Sequence, residues 1–220
     1  MTKLAPARDL ALDVATGNGQ AAVAMAEDFA RVIAIDASEN QIAAAKQHPS
    51  IEYRVATGED TGVPSSCVDL VTVAQAVHWL NRDRFYDEAR RVMKPGGAIC
   101  VWCYGDPVID DPVIHGIVHR YNRGTIESCW RPERDIILDR LETIAFPFAE
   151  VEAPAIDLVC HWTLTELSGY LRTWSATAAY AKATGTDPVA EVEVAMKEYW
   201  GNADARRKVT WPLFIRAGHS

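Results

Sequence analysis

The sequence lacks the features of several large protein classes. No stretch reaches about 18 uninterrupted apolar residues, so we expect no membrane-spanning helix. Positive charge is scarce, because 22 Lys and Arg face 30 Asp and Glu, and the net charge of −8 disfavours a protein that follows nucleic-acid phosphates. Asp9 and Asp13 interrupt the apolar part of the N-terminal segment, which disfavours a secretory signal peptide.

Cysteine is sparse and irregularly spaced. The five cysteines are Cys67, Cys100, Cys103, Cys129 and Cys160. An odd number without regular spacing does not indicate a disulfide framework, so we expect a reducing compartment, the cytoplasm. Cys100 and Cys103 have CxxC spacing, but they fall in a predicted strand, where residues three apart point to opposite faces. We therefore expect no metal or redox site there.

The first hundred residues alternate short apolar runs with helical segments. The predicted strands are Leu10–Val14, Arg31–Asp36, Ile51–Ala56, Val68–Ala74 and Ala98–Tyr104, and the predicted helices are Gln20–Ala30, Ser38–Gln47 and Arg82–Arg91. Strands that alternate with helices of about ten residues indicate parallel βαβ units. The sequence therefore predicts an α/β fold with a doubly wound sheet, and 220 residues suffice for one such domain.

The rhythm changes after Tyr104. We predict a single domain over 1–220 with a helical insertion at 106–150 that caps the substrate site, and two closing strands after it. The predicted elements are helices near Val113–Tyr121 and Glu133–Thr143, a strand Ile156–Trp162, helices from Thr163 to Thr184 and from Pro188 to Gly201, and a last strand Lys208–Arg216. Thr163 with Glu166 forms the pattern of a capping box.

A glycine-containing turn separates the first predicted strand from the first helix. Gly17-x-Gly19-x-x-Ala22 lets the backbone turn tightly and lets a ligand approach it. Asp36 ends the next strand, where a carboxylate can accept hydrogen bonds from two ribose hydroxyls. This pattern equally suits a nicotinamide dinucleotide. Asp13 beside the loop favours a cationic ligand over a pyrophosphate, and therefore S-adenosylmethionine over NAD.

Four segments in order carry a family resemblance: ALDVATGNGQ, VIAID, VDLVTVAQAVHWL and RRVMKPGGAICVW. Together they resemble class I S-adenosylmethionine-dependent methyltransferases of the type 11 group. The stretch AQAVHWLNRDRFYDEARRVMKPGG is most similar to the trans-aconitate methyltransferase-like branch, which methylates small molecules. The resemblance implies a Rossmann-like seven-stranded sheet of order 3-2-1-4-5-7-6 with an antiparallel last strand. It also implies S-adenosylmethionine as cofactor and a small-molecule acceptor, a carboxylate or a hydroxyl.

The same resemblance implies a set of cofactor-binding residues. The loop around the methionine part comprises Asp13, Ala15, Thr16, Gly17 and Gly19; the ribose is held by Asp36 with Ala37 beside it; the adenine is flanked by Thr57, Gly58 and Glu59; and the ammonium and sulfonium face Ala74 and Gln75. Ala15 departs from the family, which usually has glycine there in the pattern D-x-G-x-G-x-G. Its methyl group is expected to crowd the cofactor.

His78 is the candidate catalytic residue, because histidine titrates near neutrality and a hydroxyl acceptor needs a base. Two other roles stay open for it, lining the pocket and packing in the core. The expected substrate contacts are His78, Trp79, Tyr104 and Arg172. His115 and His119 share a helix face but lack a third ligand, so no metal site is expected.

The expected partner is a small molecule, without nucleic acid or membrane, and the assembly under consideration is a homodimer. Two alternative functions stay open. One is an NAD-dependent oxidoreductase, and the other is a non-catalytic S-adenosylmethionine-binding module, to which Ala15 lends support.

Overall fold

The computed structural model describes residues 2–202 and 204–220, which form two compact units. The first unit comprises the chain up to Cys103 together with Ile136–Ala155 and Phe214–Ser220. The second comprises Tyr104–Asp135 and Ile156–Leu213. The predicted insertion at 106–150 thus overlaps the second unit only in part, because 136–150 belong to the first.

Nine strands and eight α-helices are found in the described residues. The strands are β1 Leu10–Val14, β2 Arg31–Asp36, β3 Ile51–Val55, β4 Val68–Ala74, β5 Met93–Tyr104, β6 Val108–Ile109, β7 Ala149–Val151, β8 Asp157–Trp162 and β9 Arg207–His219. The helices are α1 Gln20–Met25, α2 Glu39–Ala43, α3 Arg82–Val92, α4 Pro112–Arg120, α5 Asp135–Leu138, α6 Leu164–Arg172, α7 Ser175–Thr184 and α8 Pro188–Trp200. Every strand predicted in the first hundred residues is present; four match their predicted bounds within one residue, whereas β5 begins at Met93 rather than at Ala98.

The sheet of the first unit has the order β3-β2-β1-β4-β5-β9, and β7 pairs with β9. Strands β1 to β5 are parallel, whereas β7 runs antiparallel to β9, with Ala149 opposite His219. With β9 as strand 7 and β7 as strand 6, this is the predicted order 3-2-1-4-5-7-6. The Rossmann-like α/β class is confirmed.

Both faces of this sheet are covered at its centre, which explains why β1, β2 and β4 are almost entirely apolar. Alternate residues of one strand enter different buried clusters: Leu12 packs on one face and Ala11 on the other. Cys103 and Cys100 divide in the same way, so the two thiols lie on opposite faces of β5. A sheet buried on both sides needs near-continuous apolar strands rather than alternating ones.

The strand that closes the sheet was assigned wrongly from the sequence. Ile156–Trp162 was expected to close it, but β8 pairs with the N-terminal part of β9 inside the second unit, where Asp157 lies opposite Pro212. The closing strand is instead β7, at the end of the predicted insertion. Only three residues long and flanked by prolines at 147 and 154, β7 has too short an apolar pattern to be recognised.

Helices α6 and α7 were predicted as one helix from Thr163 to Thr184. The capping box at Thr163 and Glu166 is present, but the helix ends at Arg172 and a second begins at Ser175. Trp174 interrupts the helix with an extended backbone, φ −66° and ψ 134°, and its ring is buried. The packing of this ring in the core outweighs the helical propensity of the segment.

The second unit has its own apolar core, built from α4, α6, α8 and the antiparallel strands β6, β8 and β9. Aromatic rings make up much of it. Tyr170 lies edge-on to both Trp174 and Trp211, at centroid distances of 5.7 and 5.3 Å. No helix among the described residues is long and apolar enough to cross a bilayer.

Candidate cofactor site

The predicted cofactor residues converge at one edge of the first unit's sheet. Parallel pairing places Val14 beside both Ile35 and Val73, so the carboxyl ends of β1, β2 and β4 meet there, with the end of β3 next to β2. Each predicted group lies at the end of one of these strands or just beyond it: Asp13 to Gly19 at β1, Asp36 and Ala37 at β2, Thr57 to Glu59 beyond β3, and Ala74 to His78 at β4. Ligands of open α/β sheets bind outside the carboxyl ends of the strands.

The loop after β1 turns through left-handed backbone conformations. Ala15, Gly17 and Gly19 have φ of 54°, 58° and 87°. Gly19 is also confined by space, because a Cβ there would lie 2.2 Å from the hydroxyl oxygen of Tyr53. At Gly17, by contrast, the only atom of the described residues that a Cβ would approach within 4 Å is Oε1 of Gln41, at 3.9 Å. The backbone at Gly17 is therefore open to a ligand.

Ala15 is the residue that departs from the family's glycine. Its φ of 54° is a conformation that costs an L-residue roughly 1–2 kcal/mol. Alanine at this position therefore strains the backbone of the loop, in addition to any crowding of a ligand by its methyl group.

Asp36 ties the end of β2 to the glycine loop. Its Oδ2 accepts a hydrogen bond from the Gly17 N–H at 2.9 Å, and its Oδ1 accepts one from the Ser38 N–H at 2.9 Å. Each carboxylate oxygen keeps a further lone pair. The carboxylate is thus held in place by the backbone and can still accept hydrogen bonds from two vicinal hydroxyls, which fits the ribose of S-adenosylmethionine.

Asp13 is fully buried and braces the loop from within. Its Oδ1 accepts a hydrogen bond from the Thr72 hydroxyl at 2.6 Å, and its Oδ2 accepts one from the Thr16 hydroxyl at 2.5 Å. Burial raises the pKa of Asp13 to about 6, and the charge of Asp36 also raises it, against the lowering effect of the two hydroxyls. From the sequence we expected this carboxylate to face a cation of the ligand. In the structure its oxygens instead accept hydrogen bonds from the protein's own hydroxyl groups.

The segment after β3 closes against the segment after β4. Glu59 Oε1 accepts a hydrogen bond from the Asn81 N–H at 2.7 Å, and Gly58 is buried. Thr57 is exposed and lines an open groove of about 510 Å³ at the end of β3. The groove's lining comprises Arg54, Val55, Ala56, Thr57, Asp60, Thr61 and Gly62.

The segment after β4 begins with another left-handed residue. Gln75 has a φ of 52°, and its N–H donates to the Trp102 carbonyl at 2.8 Å. A 3₁₀ turn, Val77–Trp79, follows and places two predicted substrate residues side by side. His78 is 8% exposed and Trp79 is 51% exposed, with their ring centroids 4.6 Å apart.

The remaining two predicted substrate residues, Tyr104 and Arg172, belong to the second unit. Arg172 donates to Asp187 and to Glu193, each at 2.9 Å, on the wall of a surface groove of about 330 Å³. Two carboxylates therefore balance its charge. In the part of the chain that the structure describes, no group of three metal-ligating side chains occurs.

Two residues at the site escaped the sequence reasoning. Tyr53 lies over Gly19, with its hydroxyl donating to the Lys46 carbonyl at 2.8 Å, and Thr72 holds Asp13. Thr72 occupies an ordinary position in the apolar strand β4, and Tyr53 lies in β3, whose sequence IEYRV mixes polar and apolar residues. Strand pairing could have indicated Thr72, because it directly opposes Asp13 in the register of β1 and β4.

Comparison with known proteins identifies the family. Residues 12–101 match the model of a methyltransferase domain. A Dictyostelium discoideum protein named as a methyltransferase is 33% identical over 213 residues, which cover 94% of this chain and 81% of that protein. A structure from Anaeromyxobacter dehalogenans, titled as a type II methyltransferase, is 43% identical with a TM-score of 0.91, covering 99% of this chain and 92% of that one.

A more distant structure, YcgJ of Bacillus subtilis, shares the fold at 17% identity, with a TM-score of 0.56 and coverage of 100% and 96%. These matches overturn the alternative of a dinucleotide-dependent oxidoreductase. Placement in the trans-aconitate branch stays a prediction. The sheet order, the glycine loop followed by Asp36, and these relatives together show that the chain belongs to the class I methyltransferases, with S-adenosylmethionine as its cofactor.

Proposed function

We propose that this protein transfers a methyl group from S-adenosylmethionine to a small-molecule acceptor, at a site built on the strand ends of the first unit. The observation that carries the proposal is Asp36, which the N–H groups of Gly17 and Ser38 orient while lone pairs remain for a ribose. When bound, the cofactor supplies a methyl group on a positively charged sulfur. The protein's task is then chiefly to bind and align the reactants.

The cofactor-binding residues are proposed as one set with distinct tasks. Asp36 holds the ribose, with Ala37 beside it, and the adenine is flanked by Thr57, Gly58 and Glu59 in the segment after β3. The methionine part contacts the loop Ala15–Gly19 and the segment at Ala74 and Gln75. Asp13 acts indirectly, because its carboxylate holds Thr16 and so fixes the loop.

His78 is proposed to line the acceptor site. If the acceptor is a carboxylate, no base is needed, and if it is a hydroxyl, a ring nitrogen of His78 would take its proton. We expect His78→Gln to raise the acceptor KM modestly while turnover and cofactor affinity stay nearly unchanged. If instead the wild-type rate rises with pH near neutrality, and this pH dependence vanishes in His78→Gln, then His78 is the base.

Location and assembly follow as lesser parts of the proposal. All five cysteines are free, which suits the reducing cytoplasm.

We also keep the homodimer, and the cap over the substrate formed by 106–150, as predictions. Gel filtration with light scattering would decide the first, and comparison of acceptor KM between the full chain and point variants in 106–150 would test the second.

The central experiment separates binding from transfer. Calorimetry should show that S-adenosylhomocysteine binds and that NADH does not. Incubation with methyl-labelled S-adenosylmethionine and a metabolite extract should then yield a labelled small molecule by mass spectrometry. Binding of S-adenosylhomocysteine without any labelled product from a broad extract would favour the non-catalytic module.

A further inference from the structure

Strand β8 of the second unit has one open edge. It pairs with β9 on one side, and no other strand of the described residues pairs with it. Antiparallel neighbours exchange hydrogen bonds only at every second residue pair. Leu213 donates its N–H to the Ile156 carbonyl at 3.2 Å, so Ile156 and every second residue after it bond to β9. The N–H and C=O groups of Asp157, Val159 and His161 therefore point to the open edge.

The contacts of β9 confirm this alternation. Lys208 lies opposite His161, but its N–H donates to the Asp110 carboxylate and its C=O accepts from the Asp110 N–H, each at 3.1 Å. Both groups of Lys208 thus face away from β8. Of the backbone groups at the open edge, only the His161 carbonyl has a partner among the described residues, the Arg206 side chain at 2.6 Å. The others are available to a further strand.

The other edge strands in the described residues are protected, whereas β8 is not. Native sheets keep their edges from pairing by making them short or by placing charged residues or proline in them. Strands β6 and β7 have only two and three residues. Strand β3 carries Glu52 and Arg54, which form an ion pair at 2.7 Å. Strand β8 has six residues without lysine or proline, and Leu158 and Val159 near its centre are 44% and 43% exposed.

We propose that β8 is the interface of a homodimer, in which the β8 strands of two copies pair antiparallel across a two-fold axis at Val159. In this register the edge groups of Val159 meet those of Val159 in the second copy, and those of Asp157 meet those of His161 at both ends. The two sheets β6-β9-β8 then form one continuous sheet. The inference rests on the homodimer kept above as part of the proposed function, and it names the surface that forms it.

The charges along the edge favour a second copy as the occupant. Asp157 lies at one end, and His161 lies at the other with Lys208 beside it on the same face of the sheet. Histidine is partly protonated near neutrality. Arg206 at that end is balanced by Glu166. Antiparallel pairing therefore places the negative end of one copy against the positive end of the other, at two symmetric contacts.

The apolar side chains on the opposite face of β8 fit the same register. Ile156 and Leu158 are 47% and 44% exposed, although they share this face with the partly buried Cys160 and Trp162. The register places Leu158 opposite Cys160 of the second copy, and Ile156 opposite Trp162. Because Cys160 and Trp162 pack against the core of the second unit, pairing extends each core across the interface and covers the exposed apolar groups.

Sedimentation velocity over a concentration series, from micromolar to near-millimolar, tests the proposal. One pair of strands makes a small interface, so we expect a monomer–dimer equilibrium with a dissociation constant in the micromolar range. A chain that stays monomeric at the highest concentration would overturn both the interface and the homodimer.

Two charge reversals test the register. Asp157→Lys and His161→Glu each place like charges opposite one another at both contacts, so each folded variant should dimerise about tenfold more weakly. An equimolar mixture of the two should recover wild-type affinity, because the reversed charges face each other at one contact and the native pair forms at the other. Wild-type dimerisation of either variant alone, or a mixture that recovers no dimer, contradicts this register.

Val159→Pro tests the pairing of the backbones. The Val159 N–H points away from β9, so proline removes a donor of the open edge without removing a hydrogen bond between β8 and β9. We expect the folded variant to lose the dimer, and a dimer of wild-type affinity would refute strand pairing. The charge reversals, which change exposed side chains only, decide the question if Val159→Pro does not fold.

Glu198→Lys is the matched control. It makes the same change of charge as Asp157→Lys, but on the exposed face of α8, which also carries Val194 at 72% exposure. We expect Glu198→Lys to dimerise as the wild type does. Loss of the dimer in this variant would place the interface on α8 instead of β8.

Calorimetry with S-adenosylhomocysteine on the same samples separates this inference from the proposed methyl transfer. If the ligand binds but the charge reversals leave dimerisation unchanged, the β8 interface fails and the cofactor site stands. If dimerisation follows the charge pattern but the ligand does not bind, the interface stands and the proposed cofactor site fails.

Discussion

The two units hold their polar groups in position by different means. In the first, backbone N–H groups and short side chains at strand ends do so, as where Gly17 and Ser38 orient Asp36. In the second, long cationic and aromatic side chains do so, as where Arg134 lies on Trp130. Backbone-built sites depend on glycines and on strand register, so substitutions there should affect folding as well as binding. Sites built from side chains should lose binding alone.

Gly19→Ala should have the largest effect and tests this contrast most severely. The new Cβ would overlap the Tyr53 hydroxyl and would hold an L-residue at φ 87°. We expect the free energy of unfolding to fall by about 2–5 kcal/mol, the sum of the left-handed cost and overpacking. Urea unfolding measures it. Gly62→Ala is the matched control, because Gly62 has a φ of 63° and no atom of the described residues would lie within 4 Å of the new Cβ, so the variant should lose only about 1–2 kcal/mol.

Asp13 should make the stability of the first unit depend on pH. Its pKa is about 6 in the fold against 3.8 for the free group. Because the folded state binds this proton more tightly, the stability that Asp13 contributes falls as pH rises from about 4 to about 6, by roughly 3 kcal/mol. Urea unfolding of wild type and Asp13→Asn across this range measures the difference. Subtracting the values for Asp13→Asn from those for wild type cancels the contributions of the other carboxyl groups. If the free energies of unfolding of the two proteins changed in parallel with pH, the expectation would be contradicted.

Asp36→Ala should weaken the binding of S-adenosylhomocysteine by roughly 1.5–3 kcal/mol, the range for hydrogen bonds to a charged group. Calorimetry measures the affinity, and circular dichroism establishes that the variant is folded. Asp87→Ala, which removes an 81% exposed carboxylate from α3, should change nothing. Unchanged affinity in folded Asp36→Ala would remove the ribose assignment.

Ala15→Gly should have the smallest effect, and of opposite sign. Glycine adopts φ 54° without strain, but it also gains freedom in the unfolded chain, so we expect a stabilisation of up to about 1 kcal/mol. Cofactor affinity should rise or stay unchanged. Ala26→Gly, at φ −64°, should instead destabilise the protein by about 0.5–1 kcal/mol. Loss of affinity in Ala15→Gly would show that the methyl group packs productively.

The first unit was largely predictable because its signals are local. Each apolar run and each turn is encoded by a few consecutive residues. Asp36 follows Gly19 at a separation along the chain that one helix and one strand set. The second unit was less predictable, since Asp106, Trp130 and Arg134 are brought together only by tertiary packing and nothing in their spacing indicates their contacts. Strand β7 was not predicted because its three residues are too few to show a period.

The positions of Cys100 and Cys103 have a practical consequence for following the protein in solution. Burial raises the pKa of both thiols to about 12, so near neutrality almost none of either exists as the reactive thiolate. The three other cysteines are half-buried and should react with a thiol reagent first. Cys100 and Cys103 lie on opposite faces of the same sheet. The rate at which a thiol reagent modifies them therefore reports how often that sheet opens.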